Sequence, residues 1–388
     1  MKRIVYFRPL MVVIVLASAW IPVPALDAQD AQATEFTPQA ISALAFHPDG
    51  TLLIGDSKAG AVYAVQLKNT DQQTWEISEF GGTVVQNLET QVAARLGTTA
   101  EQIVVHDLAV HPTTQVIYLA VSRSRGNWVS KWQLPNDLGD ARVLMTVNAA
   151  GEIGMVDLAA LEFTVARLPN PVDDQPHPWK PDATTRAEAI TDMAYHDGYV
   201  YVAGLSNEEF ASSMWKISYP LSEHTETTTL EIFHGAHGKY ETHSPVRTFI
   251  PYQFEDSTQL LAAYLCTPFV TFSLDELQDG AHVKGRTIGE FGSGNYPLDM
   301  ILYSKDGRER ILIANSNLPL MIVDPTKVAD YEGSITEEVE GYTAGVDYEI
   351  RSGSGVQQLD VLTDDAVVAL VRTNAGTMDL VALHTSRL

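Results

Sequence analysis

The chain has 388 residues, 45% of them apolar and 19% charged, which excludes a disordered polymer and is long for one ordinary hydrophobic core. Its formal net charge is −24 at pH 7, and that field repels phosphate, so nucleic acid and anionic membrane surfaces are excluded as partners. A single cysteine, Cys266, excludes an intramolecular disulfide; it follows the apolar strand LLAAYL and reads as a buried, inert thiol.

Taken in chain order, Lys2, Arg3 and Arg8 precede an apolar stretch of 11 residues, 10–20, too short to span a bilayer. Pro22 and Pro24 then break any helix. This reads as a secretory signal over residues 1–28, with small-residue cleavage options reaching residue 33. The expected location is periplasmic or secreted, with residues 34–388 forming one domain.

A unit then recurs six times. It opens as ISALAFHPDGTLLIGDSKAGAVYAV at Ile41 and returns from Val105, Ile190, Val246, Pro297 and Val356, at spacings of 51 to 85 residues. Each copy holds a short apolar strand, a polar turn and a second strand rich in Val, Ile, Leu, Tyr and Ala. Repetition of that kind predicts an all-β, six-bladed β-propeller. The units run over 41–86, 104–170, 190–236, 246–293, 297–350 and 356–388. The last supplies only three strands, so residues 34–37 are expected to pair with it as an N-terminal closing strand, because closure removes an exposed sheet edge.

Two insertions interrupt the rhythm. Residues 87–96 (NLETQVAARL) predict a short helix between blades 1 and 2, ended by Gly97, and Thr98 with Glu101 suggests a capping box for a further turn. Residues 169–187 are Pro-rich and polar and predict an irregular loop. His47, His111 and His196 recur at equivalent hairpin turns around the ring, so they cannot meet at one metal and read as structural.

Consecutive strands in a blade are antiparallel, so first-strand starts, second-strand ends and inter-blade loops share one face. Aligning the copies puts Ala43, Asp107, Asp192, Thr248, Asp299 and Gln358 at one position near the inner mouth, preceded by Ser42, His106, Thr191, Arg247, Leu298 and Gln357. Asn207 and Asn315 lie at second-strand ends. Asp107, Asp192 and Asp299 with Asn207 and Asn315 suit Ca²⁺, which takes six to eight oxygen ligands. The alternatives are strand-end hydrogen bonding, or neutralisation by Arg247, which equally suits an anionic substrate. A second constellation, FHGAHGKYETHSP, gathers His234, His237 and His243 around Glu241, a composition that can hold Zn²⁺ or Cu²⁺.

The rhythm of LAFHPDGTLLIGDSKAGAVYAV resembles the repeats of six-bladed propellers of the NHL, SMP-30 (gluconolactonase)-like and paraoxonase-like type. That resemblance implies a calcium-dependent lactonase or esterase whose metal is held by a Glu, Asn residues and an Asp at the mouth. Asp192, Asn207, Asn315 and Asp299 stand at such positions, and Glu188 is the candidate for the Glu. The expected function is a calcium-supported, hydrolase-like propeller in which His106 or His243 moves the proton and Arg247 assists. The alternative is a non-catalytic propeller that binds a small molecule, a metal or a protein on the inter-blade-loop face.

Overall fold

The structure, a computed structural model, describes residues 35–68, 71–124, 140–178 and 183–388. The expected signal segment and Thr34 lie outside the described residues. No helix among the described residues is long and apolar enough to cross a membrane.

Six small antiparallel sheets form the blades of a propeller. Blade 1 is Ile41–Phe46, Leu52–Asp56 and Ala61–Gln66, with Glu162–Arg167 outermost. Blade 2 is Val104–Val110, Ile117–Ser122, Val143–Val147 and Ile153–Met155. Blade 3 is Asp192–His196, Tyr199–Leu205, Ser212–Ser218 and Thr225–His234, extended by Lys239–Glu241 and, in parallel, by His282–Lys284. Blade 4 is Val246–Gln253, Thr258–Tyr264, Pro268–Ser273 and Arg286–Phe291, with Thr343–Gly345 at its edge. Blade 5 is Pro297–Lys305, Arg308–Asn315, Leu320–Val323 and Glu349–Arg351. Blade 6 is Val356–Thr363, Ala366–Arg372, Met378–His384 and Gly82–Val85.

Two boundaries differ from the sequence expectation. The closing strand comes from the N-terminal part of the chain, but it is Gly82–Val85 and not residues 34–37. Glu162–Arg167, expected within the second unit, returns to blade 1. The physical reason lies in the order of the ring. Inner strands of blade 1 pack on blades 2 and 3, while blade 2 packs on blades 1 and 6, so the ring order is 2-1-3-4-5-6. The chain leaves blade 1 after three strands, closes blade 6, builds blade 2, and only then returns to finish blade 1.

The segment before Ile41 has a different anchor. Phe36 is buried against Tyr63 and Phe163, with ring centroids at 4.9 and 5.2 Å, and the Gln39 and Ala40 amides donate to Asp56. The predicted helix forms as α1, Leu88–Leu96, with Gly97 in the left-handed region at its end. It buries Leu88 and Val92 among side chains of blades 2 and 6. The expected capping box does not form: Thr98 donates instead to the Arg123 carbonyl, and the following turn, Ala100–Gln102, has Thr99 before it with no side-chain cap. The 169–187 segment is irregular, as expected, in its described residues, with isolated bridges and a short 3₁₀ turn, Thr185–Glu188.

The core is a set of inter-blade clusters rather than one centre. Leu53, Val62, Val200, Val202 and Trp215 join blades 1 and 3, and Leu261, Phe269, Ile311, Ile313 and Met321 join blades 4 and 5. Each fully buried aliphatic side chain contributes roughly 1.5–3 kcal/mol by leaving water. Stability therefore accumulates blade by blade, which frees the inter-blade-loop face for polar groups.

Candidate functional site

Two of the axial aspartates, Asp107 and Asp299, follow a repeated irregularity, while Asp192 sits in a regular pairing. In blades 1, 2, 4, 5 and 6 the pairing of the first two strands slips beside Ser42, His106, Arg247, Leu298 and Gln357. The next residue then resumes the register with its side chain at the channel. Asp107 accepts the Leu108 amide on one oxygen at 2.8 Å and the Leu44 amide of blade 1 on the other at 2.6 Å. Asp192 does the same for Met193 (2.7 Å) and for Phe249 of blade 4 (2.8 Å). Asp299 holds Met300 (2.7 Å) and Leu359 of blade 6 (2.6 Å). A fourth, Asp360, holds Val361 (2.7 Å) and Val110 of blade 2 (2.6 Å). Each is a clamp between neighbouring blades.

Burial raises the pKa of all four carboxyls. Asp107 is pushed up to about 8 by burial and by the nearby Asp192, Asp192 to about 6 by burial, Asp360 to about 6 by burial, and Asp299 well above the usual range by burial and its two neighbours. Arg247 lies among Asp192, Asp107 and Asp299 and supplies positive charge. Its Nη1 donates to the Thr191 carbonyl at 3.2 Å.

The other expected residues are dispersed. Asn207 bonds Asp173 and the Pro171 carbonyl, and Asn315 bonds Asn295, so neither joins the aspartates. His106 is buried, pairs with Ser122 at 2.5 Å, and is lowered to about 4 by burial and by Arg247. His243 is exposed and meets Thr242.

Off the axis, between blades 3 and 4, the histidine stretch does converge. Thr225–His234 ends at His234, a 3₁₀ turn (Gly235–His237) carries His237, and Lys239–Glu241 folds back so that Glu241 faces both. Glu241 accepts from His234 Nδ1 at 3.0 Å and from His237 Nδ1 at 2.7 Å, and the two rings lie with centroids 3.8 Å apart. Burial would raise Glu241, but His234 and His237 hold it down at about 2, so it is ionised and only accepts. Both Nδ1 atoms are thus engaged by Glu241, which leaves both Nε2 atoms facing away from it.

Cys266 enters from blade 4. Cys266 and Thr267 both adopt positive φ, 65° and 78°, in the turn between Thr258–Tyr264 and Pro268–Ser273. Two consecutive non-glycine residues there store roughly 1–3 kcal/mol each. Thr267 holds the turn by donating to the Gly292 carbonyl at 3.0 Å. The Cys266 sulfur accepts the Gly294 amide at 3.1 Å, and the thiol is lowered to about 7, first by His234. Burial would lower His234, but Cys266 and Glu241 raise it to about 9. One ligand atom each from His234, His237 and Cys266 lies within 4.8 Å of the others. His234 is only 2% exposed, and its Nε2 is buried without a hydrogen-bond partner.

Cys266, expected to be buried and inert, is only half-buried with its thiol lowered to about 7, and it meets the histidines, a partnership not among the sequence expectations. The available signal was the turn itself, YLCTP, where positive φ is met with neither Gly nor Asn. Beside the cluster lies a cleft of about 400 Å³ between His177 and Glu188 on one side and the Lys239–Pro245 stretch on the other, with Leu265 in its wall.

The fold and this centre together define a six-bladed propeller with a thiolate–imidazole cluster on its inter-blade-loop face. No family model matches the sequence, and no curated protein matches it. Among solved structures the chain is similar to a luciferin-regenerating enzyme, at 6% identity and TM-score 0.32, over 89% of this chain and 91% of that one. It is also similar to the extracellular domains 1–2 of Drosophila Semaphorin 1b, at 10% identity and TM-score 0.34, over 90% and 88%. Prolyl oligopeptidase B from Galerina marginata matches at 10% identity and TM-score 0.32, over 91% of this chain but 44% of that longer one.

Proposed function

We propose that this propeller is a metalloprotein that binds one Zn²⁺ or Cu²⁺ ion through His234 Nε2, His237 Nε2 and Cys266 Sγ. The observation that carries the reading is the pair of Nε2 atoms left free by the shared carboxylate Glu241, next to a thiol. Carboxylate-oriented histidines are the usual support of metal ligands, because the second hydrogen bond fixes the tautomer and raises ligand basicity. Two imidazoles and a thiolate suit borderline and soft ions, and not Ca²⁺. The calcium-supported lactonase reading implied by the repeat resemblance needs the axial aspartates, whose oxygens are already engaged by backbone amides. Metal chemistry is therefore assigned to the off-axis cluster, and the axial ring to holding the blades together.

Metal analysis of the purified full-length protein after dialysis tests this. One equivalent of zinc or copper is expected for the wild type, and Cys266→Ser and His234→Ala should each lower affinity at least about tenfold. Because only the folded protein has the site, saturation at about 100 times Kd should add roughly 2.7 kcal/mol of stability. Less than a tenth of an equivalent bound, with no thermal shift on adding Zn²⁺ or Cu²⁺, would overturn the assignment.

A further inference from the structure

A second buried group beside the cluster lacks a partner. Glu290 is 2% exposed and comes from the end of Arg286–Phe291, paired with Pro268 just beyond the Cys266 turn. Its Oε1 accepts the amide of Gly235, the residue after His234, at 2.6 Å. Gly235 has no side chain to keep the carboxylate away: a Cβ there would lie 2.9 Å from Glu290 Oε1. The other oxygen, Oε2, is buried with no hydrogen-bond partner. An unsatisfied buried oxygen is destabilising, so native structures seldom leave one without a use.

The two orphaned atoms have different needs. His234 Nε2 has no hydrogen-bond partner and becomes a lone-pair ligand when a metal ion displaces its proton. Glu290 Oε2 seeks an O–H or N–H donor. A metal ion that carries a water meets both, since the ion takes the imidazole and its water donates to the carboxylate.

We infer that Glu290 holds a water on the open fourth position of a Zn²⁺ at His234, His237 and Cys266, making this a hydrolytic site for a small carbonyl substrate. The inference rests on the metal reading above. Three protein ligands plus water is the arrangement of catalytic zinc, whereas structural zinc is closed by four protein ligands. Glu290 does not itself fall within the set of mutually close ligand atoms, which fits a carboxylate one water removed from the ion. The cleft of about 400 Å³ is lined by Glu241, which orients both histidines, and by Leu265, the residue before Cys266, and has the size of a small-molecule pocket. In the reaction the water oxygen attacks the substrate carbonyl carbon while its proton passes to Glu290. The carbon–oxygen bond to the leaving group then breaks, and the alkoxide takes that proton back, giving acid and alcohol. The ion polarises the carbonyl and lowers the pKa of the water.

The test uses the full-length, zinc-loaded protein with p-nitrophenyl acetate as the probe ester. Glu290→Gln keeps the Gly235 contact and should keep one zinc per chain, yet lose about 100-fold or more in kcat with little change in KM. In the cobalt-substituted protein the same variant should alter the ligand-field absorption and leave the thiolate charge-transfer band in place. If Glu290→Gln does not fold, Glu290→Asp should bind zinc and run at least about tenfold slower. A wild type that binds zinc but hydrolyses the ester no faster than His234→Ala overturns this inference alone. So does a zinc-loaded Glu290→Gln that works at the wild-type rate. A wild type that binds no zinc overturns the metal reading and this inference with it.

Discussion

Asp107 ties two blades with one side chain, and the same residue makes stability depend on pH. Its carboxyl titrates near 8 in the folded protein, and Asp192 and Asp360 near 6, against about 3.9 in an unfolded chain. The folded state thus binds protons that the unfolded state has released. The contribution is complete below the unfolded pKa and is lost as pH rises, through about 6 for Asp192 and Asp360 and about 8 for Asp107. The melting temperature should therefore fall between pH 5 and pH 9, and a thermal scan that is flat or rising over that range would contradict the clamp electrostatics. Asp107→Asn should flatten the upper part of the slope. The equivalence of Asp107, Asp192 and Asp299 was legible because a repeat exposes its own alignment. Strand-end hydrogen bonding was among their expected roles and is what they do, but the clamp was not legible, because the second amide belongs to another blade. Asp360 escaped notice for a related reason: the aligned position in blade 6 is Gln358, and the clamp sits two residues later, on the same side of the strand.

At the scale of elements, local signals were readable and partners were not. α1 announced itself through its apolar spacing and the glycine after it, and it formed within a residue of the expected bounds. Gly82–Val85 lies inside the first sequence unit, yet its partner Met378–His384 is nearly three hundred residues away and nothing in the local sequence names it. Residues 34–37 attracted the closing role only because they were unassigned. The two segments should respond differently to mutation. Phe36→Ala removes a buried ring from Tyr63 and Phe163 and should cost roughly 3–5 kcal/mol while leaving the protein its wild-type size. Val85 is 2% exposed and pairs with Leu380, so Val85→Asp puts a charge into the core and also detaches the closing strand. That variant should lower stability and expose the edge of Met378–His384, seen as association in size-exclusion chromatography. A monomeric, fully stable Val85→Asp protein would show that closure does not depend on Gly82–Val85.

The whole molecule joins a transposed ring to a strongly one-sided charge. Because Gly82–Val85 crosses to blade 6 and Glu162–Arg167 returns to blade 1 only after blade 2 is built, blades 1 and 6 are each completed by a strand from elsewhere in the chain, with blade 2 threaded between them. Such interlocking favours unfolding of the junction as one unit. Opposing it are 49 acidic against 25 basic side chains, whose mutual repulsion is a cost of the compact state. Several of the cations are committed locally, as in Lys284 with Glu231 at 2.8 Å and Arg310 with Asp324 at 3.3 Å, and partly exposed pairs like these are worth little. Long-range repulsion should therefore dominate the response to salt. Its reach falls from about 30 Å at ~0.01 M to under about 8 Å at ~0.3 M ionic strength. Sodium chloride added over that range at pH 8, where the acidic surface is ionised, should raise the melting temperature. At pH 5 the gain should be smaller, since protonation of the axial carboxyls has already removed part of the repulsion. A melting temperature that falls with salt at pH 8 would mean that the paired charges, and not the excess of carboxylates, govern the electrostatics of the propeller.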